Sequence, residues 1–207
     1  TTTPPETEDS LWVNYLKHLR ESGFSEDSIY DISSSTQKIV KHISTDTTAS
    51  GPVKGLTVGF VQSGKTANIA ALMSYAADWG WNFFIILTGT IENLRMQTEM
   101  RLLNDLRSIG KLKWELINKP SSRSHISERS SHKDFSDKSK SRYFTVCLKN
   151  KRRLSDLINW LQKDISKAKQ LKIIVIDDES DQGGINTANV FKEEEERKTI
   201  NKLIVNL

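Results

Sequence analysis

The sequence contains a single cysteine, Cys147, among 207 residues. One cysteine cannot form an internal disulfide, so a small secreted fold held by disulfides is excluded, and a reducing, cytoplasmic setting is expected. Cys147 lies in the apolar run Tyr143–Leu148. That position predicts a buried strand residue rather than a reactive thiol.

Long hydrophobic runs are also absent. The longest, Phe83–Leu87, is far shorter than the roughly 20 residues that cross a bilayer, so no membrane association is expected. Residues 1–6 lack the basic and then apolar layout of a signal peptide. The first residue is not methionine, which suggests an excerpt of a longer protein. The formal net charge of +4 is compatible with a polyanionic partner but does not require one.

The first part of the chain, residues 1–52, is expected to be a helical extension. Apolar residues recur at helical spacing from Ser10 to Glu21, which predicts a first helix. Ser25 is a candidate N-cap for a second helix. The run of hydroxyl residues at 33–36 is expected to interrupt that second helix.

From residue 53 onward, strand patterns and helix patterns alternate. This order predicts an α/β domain over residues 53–207, with a mainly parallel sheet flanked by helices. Residues 120–142 are rich in serine and charge, and a flexible surface insertion is expected there. The predicted strands are Leu56–Val61, Phe83–Leu87, Tyr143–Leu148 and Ile173–Ile176, and the predicted helices are Thr66–Trp79, Ile91–Leu106, Leu154–Lys167 and the charged segment Lys192–Lys198.

The segment Gly59–Thr66, GFVQSGKT, fits the pattern G-x-x-x-x-G-K-[ST] in full. A triphosphate that leaves water needs compensation for its negative charge, and backbone N–H groups of a tight loop at a helix N-terminus supply it. In this pattern Lys65 contacts the β- and γ-phosphates and serves catalysis, and the Thr66 hydroxyl binds Mg²⁺. The alternative is a glycine turn with an incidental surface lysine. The expected nucleotide-binding residues are Gly59, Gln62, Ser63, Gly64, Lys65 and Thr66.

An acidic segment follows the apolar run Ile173–Ile176. A buried strand delivers its carboxylates to the edge where open α/β sheets bind ligands. Asp178 is the expected Mg²⁺ ligand, and Glu179 is expected to orient or deprotonate the attacking water. Asp177 competes for the metal role, because the sequence does not fix the register within one residue. The alternative is an acidic loop that caps the strand or the next helix.

The acidic motif at 178–181 has the form D-E-x-D, which resembles superfamily 2 helicase-like ATPases. Together with the phosphate loop and the block Leu87–Thr98, LTGTIENLRMQT, it looks like the Z-one domain family over residues 8–190. That family comprises bacterial helicase-related ATPases of DNA-defence and restriction-like systems, often labelled putative endonucleases. The resemblance implies a RecA-like P-loop NTPase fold, a first motor domain, and Mg²⁺-dependent ATP hydrolysis coupled to work on DNA.

The resemblance is incomplete at several positions. Ser180 stands where alanine is common, and Gly183-Gly184 stand where other small residues are expected. The 207 residues contain neither the third helicase motif nor a second motor domain, so the arginine finger is expected to come from elsewhere. No Asp…Glu-x-Lys core, His-Cys cluster or catalytic histidine pair is visible. Any nuclease activity is therefore expected in another domain or a partner subunit.

The expected DNA contacts follow the second predicted strand, by resemblance and by position: Thr88, Gly89, Arg95 and Gln97. The alternative is an amphipathic helix whose arginines are merely solvated. The basic run Lys149–Arg153 could also bind a phosphate backbone, although a solvated loop is the simpler interpretation. The four histidines are expected at the surface.

These patterns predict an ATP-binding and ATP-hydrolysing motor domain of a helicase-like, DNA-dependent ATPase. A second hypothesis is a nucleotide-gated switch or assembly module that controls a protein partner without moving on DNA. A third, a DNA-binding scaffold with a degenerate site, is weakened by the completeness of both nucleotide motifs.

Overall fold

The computed structural model of the chain describes residues 7–43, 64–106, 112–120 and 133–178. The predicted strand Leu56–Val61 and the predicted helix Lys192–Lys198 lie outside these residues. The elements are α1 (Leu11–Glu21), α2 (Glu26–Val40), α3 (Lys65–Asp78), β1 (Phe83–Thr88), α4 (Glu92–Asp105), β2 (Lys113–Leu116), β3 (Ser141–Leu148), α5 (Lys151–Gln162), α6 (Ile165–Ala168) and β4 (Ile173–Asp177).

The four described strands form one sheet in the order β2-β3-β1-β4, and all are parallel. Phe83 aligns with Tyr143 of β3 and with Ile173 of β4. Every residue of β1 is buried, as expected for a continuous apolar strand between two neighbours in a sheet covered on both faces. The predicted α/β fold with a parallel sheet and flanking helices is therefore confirmed.

The described residues fall into two compact units, one built on α1–α3 and the other on β1, β4 and α5. In the first unit, hydrogen bonds join α1 to α3 at two places. The Tyr15 hydroxyl donates to the Ala67 carbonyl at 2.9 Å. The Asp78 carboxylate accepts from the backbone N–H groups of Leu11 and Trp12, each at 3.0 Å. The predicted N-terminal extension is thus joined to both ends of α3.

Both N-terminal helices begin as predicted, with Ser10 and Ser25 as side-chain caps. The expected interruption at 33–36 is wrong, because α2 continues to Val40. Its buried residues recur at helical spacing, and this apolar side outweighs the weak helix preference of the serines between them. The buried residues of α2 are Ile29, Ile32, Thr36 and Val40.

The core of the second unit lies between β1, β3 and α5. Trp160 stacks on Phe83, with ring centroids 6.0 Å apart. Phe135 is also buried there, and its ring centroid lies 4.6 Å from that of Tyr143. Residue 135 belongs to the predicted insertion 120–142, of which 121–132 lie outside the described residues. The aromatic ring of Phe135 therefore anchors the C-terminal part of that insertion to the core.

Several local expectations are wrong. The sequence patterns do not predict strand β2. The helix predicted for 154–167 is two helices, because the Asp164 side chain accepts from Ser166 N and Lys167 N and starts α6.

The expected surface position is wrong for one histidine. His18 is buried and its Nε2 lies 3.6 Å from Asp105 Oδ1, whereas His42 is exposed as expected. No helix among the described residues is long and apolar enough to cross a membrane.

Candidate functional site

The end of the predicted phosphate loop is described from Gly64 onward. Gly64 adopts φ 64° and ψ 36° and is the N-cap residue of α3. This left-handed conformation favours glycine, because a side chain there crowds the following carbonyl. Lys65 is exposed and Thr66 is half-buried in the first turn. Gly59, Gln62 and Ser63 lie outside the described residues.

The N-terminus of α3 differs from those of the helices that a side chain caps. Side chains of Ser10, Ser25, Asn150 and Asp164 accept backbone hydrogen bonds at the starts of α1, α2, α5 and α6. Within the described residues, no side chain caps α3, and its first turn contains no acid. The positive charge of Lys65 is unfavourable beside the positive end of the helix dipole unless an anion is bound there. Uncapped N–H groups and a lysine at one helix start form an arrangement suited to an anion such as phosphate.

The carboxyl ends of β1, β3 and β4 are tied together by backbone hydrogen bonds. Lys149 N–H donates to the carbonyls of Thr88 at 3.0 Å and Gly89 at 3.2 Å. Asp178 N–H donates to Leu87 O at 2.9 Å. The structure therefore brings together Thr88, Gly89 and Asp178, three of the residues that the sequence patterns single out.

An ion pair crosses the same sheet edge. Lys149 Nζ lies 2.7 Å from Asp177 Oδ1, and the two side chains are 8% and 31% exposed. In the sequence, Lys149 stands out only as part of a basic run, with a solvated loop as the simpler interpretation. That solvated interpretation is wrong for Lys149, because its side chain is buried and paired. The sequence does contain a signal that Lys149 is buried, because this lysine directly follows the apolar strand β3.

Asp178 is half-buried at the turn after β4. Among the described residues, its carboxylate makes no ion pair or hydrogen bond that competes with a ligand, and Glu179 lies outside them. The described residues contain no group of three or more His, Cys, Asp and Glu that could hold a metal ion. Mg²⁺ is usually held by one or two protein oxygens together with nucleotide phosphates and water. The Asp178 carboxylate, which has no ion-pair or hydrogen-bond partner among the described residues, is an oxygen ligand of the kind that such a site uses.

The expected DNA contacts lie in different environments. Thr88 is buried, Gly89 is half-buried and Gln97 is exposed. Arg95 is 3% exposed, and its guanidinium pairs with Glu92 and Glu99 and donates to the Val146 carbonyl. The solvated alternative is therefore wrong for Arg95, which is buried and neutralised within the fold. Its DNA contact remains a prediction, and Gln97 is the expected contact that solvent reaches most readily.

Cys147 is buried in β3, and burial raises the pKa of its thiol to about 12. A thiol with that pKa is almost entirely protonated near neutral pH and is a poor nucleophile. The sequence-based expectation of a structural cysteine is confirmed.

Comparisons with protein-family models, with curated proteins and with solved structures give no match.

Proposed function

We propose that this chain is the nucleotide-binding motor domain of a helicase-like, DNA-dependent ATPase. The observation that carries the proposal is the complete sequence GFVQSGKT, whose last glycine is the left-handed N-cap of an α3 that no described side chain caps. Each feature of that helix start suits a bound phosphate. A glycine allows close backbone approach, open N–H groups donate, and Lys65 supplies a positive charge.

The residues have distinct expected roles. The backbone N–H groups at the start of α3 bind phosphate oxygens, and the Lys65 ammonium neutralises the charge that spreads over the β- and γ-phosphates. The Thr66 hydroxyl and the Asp178 carboxylate supply oxygen ligands for Mg²⁺. When bound, Mg²⁺ supplies electrostatic stabilisation to the phosphates. Glu179 holds the attacking water through its carboxylate.

The DNA-dependent part rests on the resemblance and on the position of the block that follows β1. Parallel strands place such segments at the carboxyl edge of a sheet, where ligands of α/β proteins bind. The exposed Gln97 and the half-buried Gly89 are the proposed contacts to a DNA backbone. A second motor domain would supply the arginine, and a nuclease, where one exists, belongs to another domain or subunit.

The first test is nucleotide binding by the full chain. Lys65→Ala is expected to weaken ATP affinity at least about a hundredfold, equivalent to roughly 2.7 kcal/mol. Lys38→Ala is the matched control, because it removes an exposed lysine from α2 and leaves the helix start intact. Fluorescence titration with a labelled ATP measures both. Equal affinity in wild type and Lys65→Ala would refute the proposal.

The second test separates binding from hydrolysis. Glu179→Gln is expected to keep the wild-type affinity for ATP and to abolish turnover, because the water loses its base but the phosphate cradle is unchanged. ATPase activity is measured with and without single- and double-stranded DNA. DNA should raise the rate, and added salt should diminish that effect.

One observation favours the alternative of a nucleotide-gated switch for a protein partner. Helix α4 exposes an apolar stripe formed by Met96, Met100 and Leu103, whose side chains recur on one side of the helix. Exposed apolar stripes are typical of protein contact surfaces. A switch would hydrolyse ATP at a rate that a protein partner changes and DNA does not. The DNA titration of the second test therefore decides between the two functions.

A further inference from the structure

The ion pair between Lys149 and Asp177 joins two strands that are not neighbours. Lys149 follows β3 and Asp177 ends β4, while β1 lies between them in the sheet. Adjacent strands are about 4.8 Å apart, so the pair spans about 9–10 Å. Only a long side chain can cross that distance, and the lysine passes over the end of β1 to do so.

The backbone of Lys149 is fixed as firmly as its side chain. Its N–H donates to two successive carbonyls at the end of β1, those of Thr88 and Gly89. A buried ammonium must be neutralised where it lies, because it cannot recover its lost hydration. Asp177 is the acid at 2.7 Å. The contact therefore restrains both the Asp177 side chain and the strand end that carries it.

The next residue along the chain is placed differently. Asp178 is anchored by its own backbone N–H, which donates to Leu87 O. Within the described residues its carboxylate has no ion-pair partner. The two adjacent acids therefore differ in their partners. The Asp177 carboxylate forms an ion pair with Lys149, and the Asp178 carboxylate forms none with a described residue.

We propose that Lys149 is a positioning residue that holds Asp177 and thereby assigns the Mg²⁺ ligand to Asp178. The inference rests on the proposed nucleotide-binding function and deepens it. The positive charge of an ammonium at 2.7 Å offsets that of the carboxylate and occupies one of its oxygens, so this carboxylate attracts a second cation less strongly. Lys149 acts through the strand end, so removing it should loosen Asp178 without deleting the ligand.

The experiment compares ATP affinity in excess Mg²⁺ with affinity in EDTA for the full chain. Asp178→Asn is expected to lose at least about tenfold of the Mg²⁺-dependent gain. Asp177→Asn and Lys149→Met are expected to lose a smaller part each, similar to one another. The double variant Lys149→Met/Asp177→Asn should be no worse than either single variant, because each substitution removes the same ion pair. Lys149→Arg keeps the positive charge on a long side chain, and should retain most of the gain.

Two outcomes would overturn the inference. If Asp177→Asn loses the Mg²⁺ gain while Asp178→Asn retains it, the metal ligand is Asp177. Additive losses in the double variant would mean that Lys149 does not act through Asp177. Thermal unfolding of each variant is recorded, and if Lys149→Met does not fold, Lys149→Arg against Asp177→Asn remains the comparison.

A measurement without nucleotide separates this inference from the proposed function. Mn²⁺ added to isotope-labelled chain broadens the NMR signals of residues near the bound ion. The broadening should vanish in Asp178→Asn and persist in Asp177→Asn. The reverse pattern, or broadening that neither variant changes, would overturn the assignment of the ligand even if the chain binds ATP. Conversely, equal ATP affinity after Lys65→Ala would refute the proposed function, while the NMR pattern would still show which of the two acids binds the ion.

Discussion

The N-termini of α1 and α3 show two ways of satisfying the start of a helix. At α1 the Asp78 carboxylate accepts from two backbone N–H groups, and the Ser10 side chain accepts from Val13 N and donates to Asp78 at 2.6 Å. At α3 a left-handed glycine precedes an exposed lysine, and no described side chain caps the helix. The first start is completed by an anion from within the fold. The second is suited to an anion that arrives from outside.

The largest effect is expected from a substitution at Gly64, the residue that precedes the uncapped start of α3. Gly64→Ala places a side chain in the left-handed conformation, at a strain of about 1–2 kcal/mol, and a methyl group where phosphate is proposed to approach. ATP affinity is expected to fall about a hundredfold or more, roughly 2.7 kcal/mol. Isothermal titration calorimetry measures this loss.

A glycine with a similar conformation provides the control for Gly64→Ala. Gly23 has φ 86°, and a methyl group added to it would point into open space. Gly23→Ala should therefore cost a similar amount of folding stability and leave ATP affinity unchanged. If both variants weaken ATP binding equally, the effect is strain and not contact with phosphate.

The start of α1, which the fold satisfies internally, is tested at Asp78. Asp78→Ala leaves two N–H groups of α1 and the Ser10 hydroxyl without their acceptor. Lost caps and buried unsatisfied donors each cost about 1–2 kcal/mol, so a fall of about 2 kcal/mol in the free energy of unfolding is expected. Urea denaturation measures it. A variant that unfolds at the wild-type midpoint would show that α1 does not depend on this carboxylate.

A smaller effect concerns pH. Burial raises the pKa of Asp78 above its ordinary value, although hydrogen bonds from Ser10 and from Trp12 and Leu11 N–H act in the opposite direction. The folded state therefore holds the proton more tightly than the unfolded state. The resulting stability is fully present below the ordinary pKa of about 3.9 and is lost as pH rises through the raised value.

The measurement is the free energy of unfolding of wild type and Asp78→Asn between about pH 3 and pH 7. Wild-type stability minus that of the variant should decrease as pH rises from about 4, because asparagine has no proton to lose. A difference that increases over this range would mean that the hydrogen bonds outweigh burial and that the pKa of Asp78 is lowered.

Sequence patterns predict the elements that are locally encoded. The strands β1, β3 and β4 are continuous apolar runs, and their predicted bounds differ from the observed ones by at most two residues. Strand β2, KWEL, escapes prediction because its residues are half-buried or exposed and carry charges. It is held by pairing with β3 rather than by burial of its own side chains.

The candidate site is predictable only in part. The phosphate-loop pattern and the pair of acids after β4 are visible in the sequence. The choice between Asp177 and Asp178 is not, because it depends on which strand brings a lysine to that edge. Strand order is set by long-range packing, and no local pattern records it. The burial of Arg95 against two glutamates is also not predictable. Both the exposed and the buried sides of α4 carry charged and apolar residues, so the sequence pattern does not show which side is buried.

Helix α1 is attached to α3 near its first turn, through Tyr15 and Ala67, and at its last residue, Asp78. The helix that carries Lys65 is therefore held near both of its ends by the segment that the sequence pattern assigns to a helical extension. A shortened chain that begins at residue 53 would lose these contacts and uncover apolar residues of α3. Removal of the extension is therefore expected to destabilise α3 as well as to shorten the chain.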